Sequence, residues 1–141
     1  MRQISDARSV LEDAQGKTVL ITGSARGIGA ETACLLNQHG CNIVVTDLLS
    51  AAPDAEALLQ SMQFPERAIF VPASVTDWSQ LLHAFKEGVR VFGRIDIVVA
   101  NAGIMESRAV LEVDTDVNGD PTASMEASNV IDVNLKGTLN S

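Results

Sequence analysis

The apolar positions of this chain fall into two kinds of pattern that take turns along it. Short unbroken runs are followed by spaced stripes. The runs are Thr18 to Ile21, Asn42 to Asp47, Arg67 to Val71 and Arg94 to Ala100. They are rich in Val and Ile and bounded by Gly or Pro, which predicts strands buried on both faces. The stripes have helical spacing. After the first run, Ile28, Thr32, Leu35 and Leu36 share one predicted side, and Gly40 closes the helix. Asp54 to Met62 predicts a short helix, with Pro53 at its start. Thr76 or Asp77 caps a longer one, whose stripe is Trp78, Leu81, Leu82, Phe85, Val89 and Phe92 and whose end is Gly93. A last helix is expected from about Pro121 or Thr122 to Leu139. Strands alternating with helices predict an α/β fold with a parallel sheet and right-handed crossovers. The expected strand order is 3-2-1-4, with ligands beyond the carboxyl ends of the strands, between strands 1 and 4.

Length and composition narrow the picture. The 141 residues suffice for one domain, read as an extension over 1–16 and a sheet domain over 17–141. Net charge is −8, which argues against a nucleic-acid or anionic-membrane surface. No apolar run approaches membrane-spanning length, and the N-terminus carries charges where a signal peptide needs its apolar segment. A cytoplasmic protein is the expectation. Cys34 and Cys41 lack metal or redox spacing and read as small buried side chains; no metal site is expected. A loop rich in acids (Glu106, Glu112, Asp114, Asp116 and Asp120, against Arg108) precedes the last helix.

Three features then fall at strand carboxyl ends. The first is Thr22-Gly23-Ser24-Ala25-Arg26-Gly27-Ile28-Gly29, a strand delivered through glycines to a helix N-terminus. There, free N–H groups and the positive helix end suit a phosphate. The second is Asp47, 18 residues beyond Gly29, near the ~20 expected of an acid that bonds adenosine ribose hydroxyls. The third is Asn101-Ala102-Gly103 after strand 4. Each alone reads equally well as turn chemistry. Together, at one end of one sheet, they point to a dinucleotide.

With Asn134 inside Asp132-Val133-Asn134-Leu135, these motifs make residues 17–141 resemble the N-terminal part of a short-chain dehydrogenase/reductase, of Rossmann type. Phe92 to Ile104 is especially similar to members related to 15-hydroxyprostaglandin dehydrogenase and to fungal secondary-metabolite reductases. The resemblance implies hydride transfer between NAD(P) and a small-molecule alcohol or ketone. It implies that Gly23, Gly27, Gly29 and the Ile28 backbone hold the pyrophosphate, Asp47 the adenosine ribose, and Ser74 with Val75 the adenine pocket. Asn101 and Gly103 would sit beside the cofactor, and Asn134 would be the family's catalytic asparagine. Lys136 is a candidate cofactor contact, against the blander reading of a solvated helix lysine. Ser74 departs from the family, which usually has an acid there. Asp47 accepts from a free 2′-hydroxyl and repels a 2′-phosphate, whereas Arg26 attracts one. NAD is favoured and NADP remains an alternative.

The resemblance also implies a tyrosine that moves the proton, a lysine four residues later and an orienting serine. This sequence has no tyrosine. The expectation is a truncated cofactor-binding half without turnover of its own. The alternatives are a non-catalytic nucleotide-binding or interaction module and one half of a split enzyme. Strand 4, apolar on both faces, would expose an edge suited to self-association.

Overall fold

A computed structural model describes residues 11, 13–107 and 113–141. Most of the expected extension over 1–16 lies outside the described residues, as do Arg108 and Glu112. The elements are β1 (Thr18–Thr22), α1 (Gly27–Gln38), β2 (Asn42–Thr46), α2 (Ala52–Ser61), β3 (Ala68–Phe70), α3 (Trp78–Phe92) and β4 (Ile97–Val99), in that order. A two-stranded hairpin follows, β5 (Asp114–Thr115) with β6 (Pro121–Thr122), and then α4 (Met125–Ile131). The first four strands form one parallel sheet in the order β3-β2-β1-β4, the order the alternation predicts.

β1 is buried along its whole length because both sheet faces are covered. On one face Val19, Ile21, Ile43 and Val45 pack with Ala33 of α1 and Ala55 of α2. On the other, Leu20 and Val44 pack with Ala84 of α3, flanked by Phe85, Phe92 and Ile95. Pairing Val19 with Ile43 and Ile97 aligns the three strand ends, so their carboxyl-terminal loops meet.

The faces that the helices bury match the predicted stripes in part: Leu81 is buried and Leu36, Phe85 and Phe92 pack against the core, but other positions differ. α1 turns Gly29, Ala30, Ala33 and Asn37 inward and leaves Ile28 and Leu35 exposed. α3 buries Leu81, Ala84 and Gly88, while Trp78, Leu82 and Val89 are exposed. The reason is close approach: a Cβ at Gly88 would stand 2.9 Å from Val44 Cγ2. Small residues let the helix axis near the sheet, and the large apolar side chains are displaced to its flanks. Asp77, not Thr76, caps α3, accepting from the Ser79 and Gln80 N–H groups. Cys41 is buried as expected, and Cys34 is half-buried.

Two other elements depart from expectation. β4 spans only Ile97–Val99, and at its start Asp96 supplies one backbone and one side-chain partner to Thr18. Its N–H donates to the Thr18 carbonyl at 2.9 Å, and its carboxylate accepts from the Thr18 N–H at 2.9 Å. Pro121 and Thr122 belong to β6 rather than to the last helix, which starts at Met125 behind a Ser124 cap. At that hairpin the Asp116 carboxylate accepts from the Asp120 and Asn118 N–H groups. Those bonds hold its carboxyl below the usual aspartate range.

Candidate functional site

The carboxyl ends of β1, β2 and β4 surround a cleft of about 440 Å³. Gly23, Arg26, Ile28, Asp47, Ser74, Val75, Asn101 and Gly103 all line it, as do Leu48, Ala73, Ala102, Ile104 and Val133.

The floor is the turn from β1 into α1, and two glycines in it have no room for a side chain. A Cβ at Gly23 would lie 2.7 Å from Ala102 Cα. One at Gly29 would meet the Gly23 carbonyl oxygen at 2.5 Å and Asn101 Nδ2 at 2.6 Å. The loop after β4 therefore rests directly on the turn. Asn101 fastens it, with Nδ2 donating to the carbonyls of Thr22 (3.0 Å) and Gly23 (2.9 Å). Ser24, fully buried, donates to the Ile21 carbonyl at 2.6 Å and accepts from the Thr46 N–H at 3.1 Å, tying the turn to β2. α1 then begins at Gly27 with no side-chain cap and no acid in its first turn. The first N–H groups of a helix have no partner within it, so this end presents donors and a positive dipole end.

Asp47 closes one wall. Its Oδ2 accepts from the Ala25 N–H at 3.0 Å and its Oδ1 from the Leu48 N–H at 2.8 Å. The carboxylate is thus oriented, and its remaining lone pairs stay available. Arg26 stands on the same rim, its Nε 3.5 Å from Asp54 Oδ2. Ser74 also lines the cleft, next to Ala73, whose N–H donates to the Asp47 carbonyl at 2.9 Å; the Ser74 hydroxyl bonds the Thr76 hydroxyl at 2.8 Å.

Two expected site residues lie elsewhere. Asn134 is in a π-helical stretch, Asp132–Gly137, that continues α4. Its amide grips Ile104 at both ends, accepting from the Ile104 N–H at 2.8 Å and donating to the Ile104 carbonyl at 2.9 Å. It braces the cleft from behind instead of lining it. Lys136 pairs with Asp132 and lines a separate cavity of about 250 Å³ with Thr76, Leu139 and Asn140.

Thr22 had no individual role in the sequence reading. Its Oγ1 accepts from the N–H groups of Asn101 (3.1 Å) and Ala102 (3.2 Å), holding the loop from the other side. A hydroxyl directly before the first glycine was the available signal. Among the described residues, no group of three or more His, Cys, Asp or Glu side chains is placed to hold a metal ion. No helix among them is long and apolar enough to cross a membrane.

The chain as a whole is similar to known proteins. The family model for short chain dehydrogenases matches residues 17–141. The short-chain dehydrogenase/reductase prx4 of Penicillium rubens is 37% identical over 124 residues, covering 88% of this chain and 33% of that protein. The 15-hydroxyprostaglandin dehydrogenase [NAD(+)] of Mus musculus is 40% identical over 90 residues, 63% of this chain and 34% of that protein. Among solved structures, a dehydrogenase/reductase from Sinorhizobium meliloti superposes with a TM-score of 0.76 at 29% identity, over 94% of this chain and 50% of the other. A 3-ketoacyl-(acyl-carrier-protein) reductase from Brucella melitensis, complexed with NADH, gives 0.73 at 26% identity, over 89% and 47%. The chain spans about a third of the length of the curated relatives just named. The chain belongs to the short-chain dehydrogenase family.

Proposed function

We propose that the cleft binds a nicotinamide dinucleotide, NAD in preference to NADP, and that the chain supplies the nucleotide-binding part of an oxidoreductase acting on a small-molecule alcohol or ketone. The observation that carries this is the glycine cradle under an uncapped helix start, with an oriented acid beside it. The residues fit the group: Gly23 and Gly29 let the turn and the loop after β4 pack closely, a Cβ at Gly27 would meet no protein atom within 4 Å, and the first N–H groups of α1 suit its pyrophosphate. Asp47 keeps acceptor capacity for the 2′- and 3′-hydroxyls of the adenosine ribose. Ser74 and Val75 flank the adenine, and Asn101 and Gly103 leave room beside the nicotinamide ribose. The reductase complexed with NADH is a structural neighbour that supports the reading.

A bound NAD supplies or accepts a hydride. The chain's own residues orient it, and Asn134 acts as a positioning residue through Ile104. A proton must also move in such a reaction, and these residues hold no tyrosine to move it in the family's manner. We therefore expect these 141 residues to bind the dinucleotide without turning over an alcohol or ketone. Calorimetric titration with NAD and NADP, beside a dehydrogenase assay on a panel of secondary alcohols, tests both parts. Absence of binding rejects the site, and robust turnover by pure protein rejects the division of labour. The alternative of an interaction module without a nucleotide would gain from the first of these results.

A further inference from the structure

We propose that Asp54 is a specificity-determining residue of the cleft: by engaging Arg26, it disfavours a dinucleotide that bears a 2′-phosphate. The proposal rests on the dinucleotide reading above and adds to it a residue outside the cleft. Asp54 lies in the first turn of α2, where an acid complements the positive helix end. Its Oδ2 is 3.5 Å from Arg26 Nε, and the two side chains are 49% and 72% exposed. Arg26 itself lines the cleft, whereas Asp54 does not. Asp47 directs its two oxygens to the Ala25 and Leu48 N–H groups, so the rim's base is shared with Asp54.

The chemistry follows from charge and shape. A guanidinium fork matches a phosphate through paired N–H donors. Asp54 Oδ2, 3.5 Å from Nε, competes with a phosphate for the charge of that fork. The rim of Asp47, Asp54 and Arg26 also carries a net negative charge, which repels a further dianion. A free 2′-hydroxyl is neutral and indifferent to both effects. Removing the Asp54 charge would release Arg26 and neutralise the rim, and this favours the phosphorylated dinucleotide alone.

The test is calorimetric titration of NAD and NADP into the wild-type chain and into Asp54→Asn, Arg26→Ala and the double variant. Asp54→Asn should tighten NADP by about two- to fivefold, the range of an exposed ion pair, and leave NAD unchanged. The gain should shrink in the Arg26→Ala background, where only the repulsion is relieved. An unchanged NADP-to-NAD ratio overturns the proposal. So does an equal gain without Arg26, which would make Asp54 a simple repulsive charge. Asp54→Ser, also suited to a helix start, stands in if the Asn variant misfolds. If the wild type binds neither dinucleotide, the cleft reading falls together with this one. If it binds and Asp54 is silent, only this one falls.

Discussion

Asp47 illustrates how a surface acid becomes a recognition element. Two backbone N–H groups fix its carboxylate, so little freedom remains to be lost on binding. Asp47→Ala removes a charged acceptor of the kind worth about 1.5–3 kcal/mol. NAD affinity should fall by roughly ten- to a hundredfold on that scale, with a smaller loss for NADP, measured by titration; equal losses would remove Asp47 from cofactor discrimination. Gly29→Ala makes a different demand. Its Cβ meets the Gly23 carbonyl and the Asn101 amide, and the clash falls on backbone. We expect a loss of about 1–3 kcal/mol in stability, the cost of overpacking, together with weakened dinucleotide binding. An unaltered melting temperature would show that the cradle can yield. At this scale the sequence named Asp47, Asn101 and the glycines, because their spacing relative to strand ends is local information. It left out the part played by Thr22, whose hydroxyl matters only once residues 101 and 102 have come back to it. It offered Lys136 as a candidate cofactor contact beside the reading of a solvated helix lysine; the side chain is exposed and pairs with Asp132 one helical turn away.

Asp96 stands at the start of β4. Its carboxyl is held below the usual aspartate range, chiefly by the Thr18 N–H and then by Arg94. A depressed folded value means that the carboxylate stabilises the fold above the ordinary aspartate range. The contribution is lost as the pH falls through the folded value. Asp96→Asn keeps an acceptor and loses the charge. Its melting temperature should lie below that of wild type at neutral pH, with the gap closing as the pH falls below about 4. A gap that ignores pH would assign the effect to shape rather than charge. The run Arg94 to Ala100 reads as a seven-residue strand and pairs over three, with Asp96 at its start and Thr22 Oγ1, which takes the Asn101 N–H, at its end. Apolar alternation marks what can be buried, but a side chain that mimics a backbone partner is invisible to it. Strand order and element sequence were legible because buried runs and glycine stops are coarse signals. Helix faces were legible only in part: Leu81, Phe85 and Phe92 pack inward as read, but Gly29, Ala33, Ala84 and Gly88 carry little hydrophobic weight and yet make close contacts.

Across the whole molecule, two tendencies oppose each other. Among the described residues, β4 is the last strand of its sheet, and Val98 is 38% exposed at that edge. Trp78, Leu82 and Val89 add apolar surface on α3. Such surface favours association of copies. A net charge of −8 opposes it by mutual repulsion. The pairing part of the edge is also short, only Ile97 to Val99, and a short edge offers few backbone groups to a second copy. Any association is therefore led by apolar contact and held back by charge, and that combination has a signature. Salt shortens the reach of the repulsion to about 8 Å at 0.15 M and leaves apolar contact intact. Sedimentation velocity should show the mean mass rising with both protein concentration and salt. Val98→Lys, which puts a charge on the exposed face of the edge, should keep the chain monomeric under the conditions where wild type associates. Because Val98 is partly exposed and does not itself line the cleft, dinucleotide affinity should be retained. A wild type that stays monomeric at every salt concentration would mean that shortness and charge already suffice to guard the edge.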